Sequence, residues 1–171
     1  MKWQFVIAGV LVSVIAAQAQ LKFEPFTSKA CGFSILMPGT PKEQTLKVKS
    51  DRGNLENKQF ALATENDLYW LVSVIDYPAD TPPELADRLL DGAVQGAMKA
   101  LKGKTLSEGK ISLENKYSGR QFQLQLDKGV IHRAQVYLVN NRLFQIVVRG
   151  PKEGATSQEA TKYMESFKLV N

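Results

Sequence analysis

Two stretches of this chain, Leu68 to Ile75 and Leu143 to Val148, are apolar at nearly every position, the pattern of strands covered on both faces. Around them lie runs that alternate. Phe33-Ser34-Ile35-Leu36-Met37 reads as a strand stopped by Pro38-Gly39-Thr40-Pro41. Thr45 to Lys49 and Lys58 to Thr64 flank the turn cluster Ser50 to Asn54 and predict a hairpin. Arg120 to Leu126 sets Phe122, Leu124 and Leu126 against Gln121, Gln123 and Gln125, so one of its faces is wet. A short strand is expected within Thr105 to Leu113, before a turn at Asn115 to Gly119. Val130 to Val139 and Arg142 to Arg149 are joined by Asn140-Asn141, whose asparagines tolerate the positive φ of a type I′ turn. That connection sets Val139 opposite Arg142, Leu138 opposite Leu143, and Tyr137 opposite Phe144.

The period changes after Thr81. Thr81-Pro82-Pro83-Glu84 combines a capping threonine, a proline at the first helical position and a capping-box glutamate. Leu85, Leu89, Leu90, Ala93, Val94, Ala97, Met98 and Leu101 then recur at helical spacing, with Asp87, Arg88, Asp91, Gln95 and Lys99 on the other side. Gly92 and Gly96 are read as sites of close approach to the sheet, and Gly103 as the stop. Gly150 to Gly154 breaks the last strand, and Thr156-x-x-Glu159 caps a closing helix with Ala160, Tyr163, Met164 and Phe167 on one face. Strands apolar on both sides need cover above and below. The expected fold is therefore α+β, a single domain in which a mainly antiparallel sheet is sandwiched by helices as α/β/α layers.

The first residues change where this domain is expected to reside. Met1 and Lys2 precede an apolar run from Phe5 to Ile15, and Ala17-Gln18-Ala19 is a small-x-small cleavage site, the features of a secretory signal peptide over residues 1–19 cut between Ala19 and Gln20. The run is about 11 residues where ~20 are needed to span a bilayer, so no stable membrane span is expected after its removal. Of 171 residues, 152 would remain: a polar lead over residues 20–30 and one domain over residues 31–171. An exported chain, periplasmic or extracellular, is the expectation.

Charge and cysteine then narrow the chemistry. The net charge is +5, and +4 once Lys2 is lost, with lysines scattered and without the like-charge block of a nucleic-acid arm. Cys31 is alone, so no internal disulfide forms, and it reads as a small buried thiol beside the first strand. His132 is the single histidine, set opposite Arg149 and without a paired nucleophile. No Gly-x-Ser-x-Gly, His-Glu-x-x-His, Walker loop or dinucleotide fingerprint occurs. Asp76, Asp80 and Glu84 lie around the loop before the long helix and could in principle gather around calcium, but their spacing matches no EF-hand and helix-start electrostatics account for Asp80 and Glu84. Tyr69, Trp70, Phe122, Tyr137 and Phe144 fall on apolar faces, which favours core packing over a stacking platform; Trp70 is the open case. No cofactor, metal site or catalytic residue is read from the chain.

Four segments resemble exported bacterial domains of the PsbP-like superfamily: Gly32 to Pro41, Ser118-Gly119-Arg120-Gln121-Phe122, Arg133 to Val148, and Tyr163-Met164-Glu165-Ser166-Phe167-Lys168-Leu169. The resemblance implies an antiparallel sheet between helices. Members of that superfamily include photosystem II extrinsic subunits, a Ran-binding factor and many uncharacterised exported proteins, so it carries no site residue to this chain. The expected function is a non-catalytic exported domain that binds a partner protein or assists an envelope assembly. A small-ligand or metal-binding periplasmic protein is the alternative, and a hydrolytic enzyme using His132 or Cys31 comes third.

Overall fold

The computed structural model describes residues 21–50 and 53–170. The expected signal peptide, with its expected cleavage between Ala19 and Gln20, lies outside the described residues. In chain order the elements are β1 (Glu24–Ser28), β2 (Phe33–Met37), β3 (Lys42–Ser50), β4 (Gly53–Ala63), β5 (Tyr69–Asp76), α1 (Ala86–Leu101), β6 (Lys104–Leu113), β7 (Tyr117–Gln125), β8 (Ile131–Val139), β9 (Arg142–Gly150), α2 (Lys152–Ala155), α3 (Gln158–Glu165) and β10 (Lys168–Leu169). Seven strands form one antiparallel sheet in the order β3-β4-β5-β9-β8-β7-β6, and a second, small sheet has the order β1-β2-β10.

The two continuously apolar stretches are β5 and β9, hydrogen-bonded neighbours at the middle of the large sheet, with Trp70 opposite Val148 and Val72 opposite Ile146. Alternation sends Trp70, Val72, Val74, Phe144, Ile146 and Val148 into one core cluster and Ile75, Leu143 and Val147 into the other. On the first face the cover is shared. The small sheet contributes Phe33, Ile35 and Met37, and α3 with the segment after it contributes Tyr163, Met164 and Phe167. Phe33 lies at the centre of a ring cluster, with centroids 5.3 Å from Phe60, 6.2 Å from Phe144 and 5.8 Å from Phe167. Each such pair adds about 0.5–1.5 kcal/mol beyond its area burial. On the second face, Leu90 and Val94 of α1 meet Phe122, Leu124, Ala134, Val136 and Leu138. The layers are thus helix, sheet, and a third layer in which helix and small sheet lie side by side.

Several local expectations shift. Glu24–Ser28, within the polar lead, forms β1 and pairs antiparallel with β2, because Phe26 buries its ring against Phe33 and Phe60. The hairpin strands β3 and β4 run longer than their apolar positions suggest, since backbone pairing continues from Lys42 opposite Ala61 to Ser50 opposite Gly53. Helical winding starts, as expected, with a proline at its first position: Pro82 is extended, Pro83–Leu85 form a 3-10 turn, and the α-helix proper continues it from Ala86, while the Thr81 hydroxyl donates to the Pro78 carbonyl at 2.6 Å. The end of α1 is made by Lys102 in the left-handed conformation (φ 52°), while Gly103 serves close packing, since a Cβ there would lie 2.6 Å from Leu126 Cδ2. Gly92 and Gly96 are exposed with open space beside them, so they do not bring α1 close to the sheet.

The β8–β9 register is as expected at all three pairs. Its turn is not type I′, because of its two central residues only Asn140 has positive φ, 56°. Two successive positive values occur at Glu114 and Asn115 instead, both 53°, in the turn joining β6 to β7. In the Gly150 to Gly154 break the chain makes the short helix α2, which takes the Thr156 hydroxyl onto the Lys152 carbonyl at 2.7 Å. Capping of α3 therefore falls to Ser157, whose hydroxyl accepts from the Ala160 N–H at 3.1 Å.

Candidate functional site

Three connections meet at one end of the large sheet: the segment between β5 and α1, the β6–β7 turn, and the Asn140-Asn141 turn. They are tied firmly. Asn141 donates its side-chain amide to the Tyr77 carbonyl at 2.7 Å, and its own carbonyl accepts the Tyr77 N–H at 2.8 Å. Arg142 grips both carboxylate oxygens of Asp76, at 2.5 and 2.9 Å, and donates a third bond to the Cys31 carbonyl at 2.9 Å. Between the connections lies a cleft of about 210 Å³, lined among others by Pro82, Pro83, Lys116, Tyr117, Leu138 and Asn140. Asp76 is thus committed to a bidentate pair that holds β5, β9 and the start of β2 together. Among the described residues no group of three His, Cys, Asp or Glu side chains converges to hold a metal, so Asp76, Asp80 and Glu84 do not form one site.

His132 sits in the core between sheet and α1, 8% exposed, its ring stacked on Phe122 with centroids 5.7 Å apart. It faces Arg149 across the β8–β9 ladder, as the hairpin register requires. Burial, and then the Arg149 charge, push its pKa down to about 4, so the ring is neutral at pH 7. Its Nδ1 is buried without a hydrogen-bond partner among the described residues. Cys31 is a buried free thiol. Trp70 is fully buried, edge-on to Tyr163 and Phe23 at 5.1 and 5.5 Å, and donates its indole N–H to Thr64 Oγ1 at 3.3 Å. A stacking platform for bases or sugars is excluded there.

No protein-family model matches the chain, and no curated protein sequence matches it. Among solved structures it is similar to the solution structure of cyanobacterial PsbP (CyanoP) from Synechocystis sp. PCC 6803, with 11% sequence identity and a TM-score of 0.54, over 93% of this chain and 99% of that one. The chain has the PsbP-like fold. At this identity the likeness concerns the fold, in agreement with the resemblance of the Gly32 to Pro41 and Arg133 to Val148 segments.

On this PsbP-like frame three further features stand out. The first is Arg120, 5% exposed on β7, whose guanidinium is clasped by Asp87 at 2.7 Å and Asp91 at 2.8 Å, two carboxylates one turn apart on α1. Hydrogen bonding to Arg120 holds the Asp87 carboxyl below its usual range. The clasp fixes α1 over the sheet. A signal for it is present in the sequence, since Arg120 is in phase with Phe122 and Leu124 on the buried face and Asp87 and Asp91 are spaced for one helix side.

The second feature is β3. It is an edge strand, exposed along nearly its whole length, with Leu46 44% exposed and Lys42, Lys47 and Lys49 along it. The third is a polar trough on the sheet face opposite α1, of about 150 Å³, to which β6 contributes Ser107, β7 Gln121 and Gln123, β8 Arg133 and Gln135, and α3 Met164. Absence of a leading candidate from the periodicity has a simple cause: β3 and the trough are built from polar residues on strands, where alternation marks only the buried side.

Among the described residues no helix is long and apolar enough to cross a membrane.

Proposed function

We propose that this PsbP-like chain is an exported, non-catalytic domain of the periplasm or extracellular space that binds a partner protein through the β3 edge. The observation that supports it is the exposed nine-residue strand β3, whose outer backbone edge has no neighbour in the sheet among the described residues. A strand in that position adds an extended segment of another chain by main-chain hydrogen bonds, with pockets on alternate positions giving specificity. Lys42, Lys47 and Lys49 deter indiscriminate self-pairing and select an acidic segment, while Leu46 and the half-buried Val48 offer the apolar contact on one face. A shorter segment pairing with β3 through its backbone would leave the rest of the domain unchanged.

The test is a photo-crosslinking amino acid placed at Leu46 in the native envelope, with the equally exposed Leu106 on β6 as the control. A discrete crosslink to one protein from position 46, absent from position 106 and lost in a Val48→Glu background, is the expected result. Identical crosslinks from both positions, or none from position 46, overturn the β3 reading.

A further inference from the structure

The same face of the sheet that buries Ile131 and Tyr137 carries Arg133 and Gln135 between them on β8. Register brings Gln123 beside Arg133 and Gln121 beside Gln135, with Ser107 next to Gln123 in the adjoining strand. Placing a cation and an amide in an apolar row of a central-side strand carries a desolvation cost unless each finds a partner. Both find only part of one.

The Arg133 guanidinium is anchored through Nη1, which donates to the Ala155 carbonyl at 3.0 Å and to Thr161 Oγ1 at 3.2 Å. Those two bonds fix the plane of the group against α2 and α3. Its other edge, Nε and Nη2, makes no hydrogen bond among the described residues, and no carboxylate there lies within ion-pair distance of it. Gln135 Oε1 is buried and accepts no hydrogen bond from the described residues. Around these two groups the lining is Gln121, Gln123 and Ser107, uncharged donors and acceptors, with Met164 as the apolar side. The trough is therefore lined by an arginine with an unpaired donor edge and, two residues along β8 at a Cα separation of roughly 6.6 Å, by an amide acceptor without a donor among the described residues.

The complement to a two-donor guanidinium edge is a carboxylate held bidentately. The complement to the Gln135 oxygen is a hydroxyl or ammonium. A small acid with both groups on adjacent carbons suits two side chains of one strand face, and about 150 Å³ admits a molecule of a few heavy atoms. We propose that this trough binds a small α-hydroxy or α-amino carboxylate, with the carboxylate on the free edge of Arg133 and the hydroxyl or ammonium on Gln135 Oε1. The site lies well away from the β3 edge, at the other side of the large sheet's strand order, so its test is separate from that of partner binding there.

Titration of the domain, from which residues 1–19 have been removed, with glycolate, glycine, acetate and glycolamide decides the matter, followed by the Arg133 Nε–H and Gln135 side-chain amide resonances in NMR. Saturable shifts with glycolate, with glycine or with both, at least tenfold tighter than acetate and absent with glycolamide, are expected; which of the two acids binds identifies the donor. Arg133→Lys keeps the charge but loses the two-donor edge and should weaken binding tenfold or more. Gln135→Met should leave acetate binding as it was and erase the advantage of glycolate or glycine over acetate. Unchanged amide resonances along α1 in both variants report that the fold is intact. No saturable shift with either acid up to about 10 mM, a concentration that reveals even millimolar affinity, overturns the proposal. Equal binding of acetate, or an unchanged preference in Gln135→Met, overturns it as well.

Discussion

His132 is held neutral by its surroundings, and this has a measurable sign. The native ring takes a proton only at about 4, whereas the unfolded chain takes one near 6.5. Unfolding therefore binds a proton between those values. The contribution of the neutral ring is fully present above pH 6.5 and is lost as the pH falls toward 4, a difference of about 3 kcal/mol from the two and a half units. Urea unfolding of His132→Phe, which keeps the aromatic contact with Phe122, should show a stability-against-pH slope flatter than the parent by that amount across this window. The slope is the readout, since the substitution also changes packing; a slope equal to the parent's would show that His132 does not set it. Arg120 is the opposite case at the same scale. It stays charged under α1 because Asp87 and Asp91 reach it from the rim, so one buried cation is shared by two solvent-facing carboxylates.

At the scale of elements, α1 contains two replaceable positions. A Cβ at Gly92 or Gly96 would meet nothing within 4 Å, so neither close packing nor positive φ requires glycine there. Gly92→Ala and Gly96→Ala should each stabilise the domain by about 1 kcal/mol in chemical denaturation, through reduced backbone entropy of the unfolded chain. Destabilisation by either would mean that α1 needs those glycines for a contact made by another molecule. The helix and both central strands were legible because burial on one or both faces imprints a period on the sequence. Boundaries were less so. Pro82-Pro83 does mark the start of helical winding, but its first turn over Pro83–Leu85 is a 3-10 turn and the α-helix proper follows at Ala86, a distinction that no side-chain pattern encodes. β1 escaped because only Phe26 of Glu24–Ser28 faces the core, and one aromatic has no period. The Arg120 clasp and the Arg133 trough depend on pairings across strands and onto helices, which a linear pattern of apolar positions does not encode.

At the scale of the whole molecule, the lead and the tail complete one layer together. β1 supplies Phe26, and Phe23, just ahead of that strand, lies against Trp70. A chain beginning at residue 31 loses both rings and the outer strand of the small sheet. It should unfold about 3–5 kcal/mol more easily, lowering Tm by ~10 °C, and bind a hydrophobic dye that the longer chain excludes. An unchanged Tm would place the domain boundary at residue 31 after all. β2 is also paired with β10, Ser34 opposite Lys168 and Phe33 opposite Leu169. Its backbone N–H at Leu36 reaches the Ser166 hydroxyl at 2.9 Å. A polypeptide threading N-terminus first from a ribosome or a translocation pore has made β2 early and must wait for partners that lie 130 residues further along before that strand is seated. Vectorial delivery thus keeps the aromatic interior unsealed until β10 has emerged, and any agent that stalls the chain before Ser166 would hold the molecule in a greasy, chaperone-seeking form.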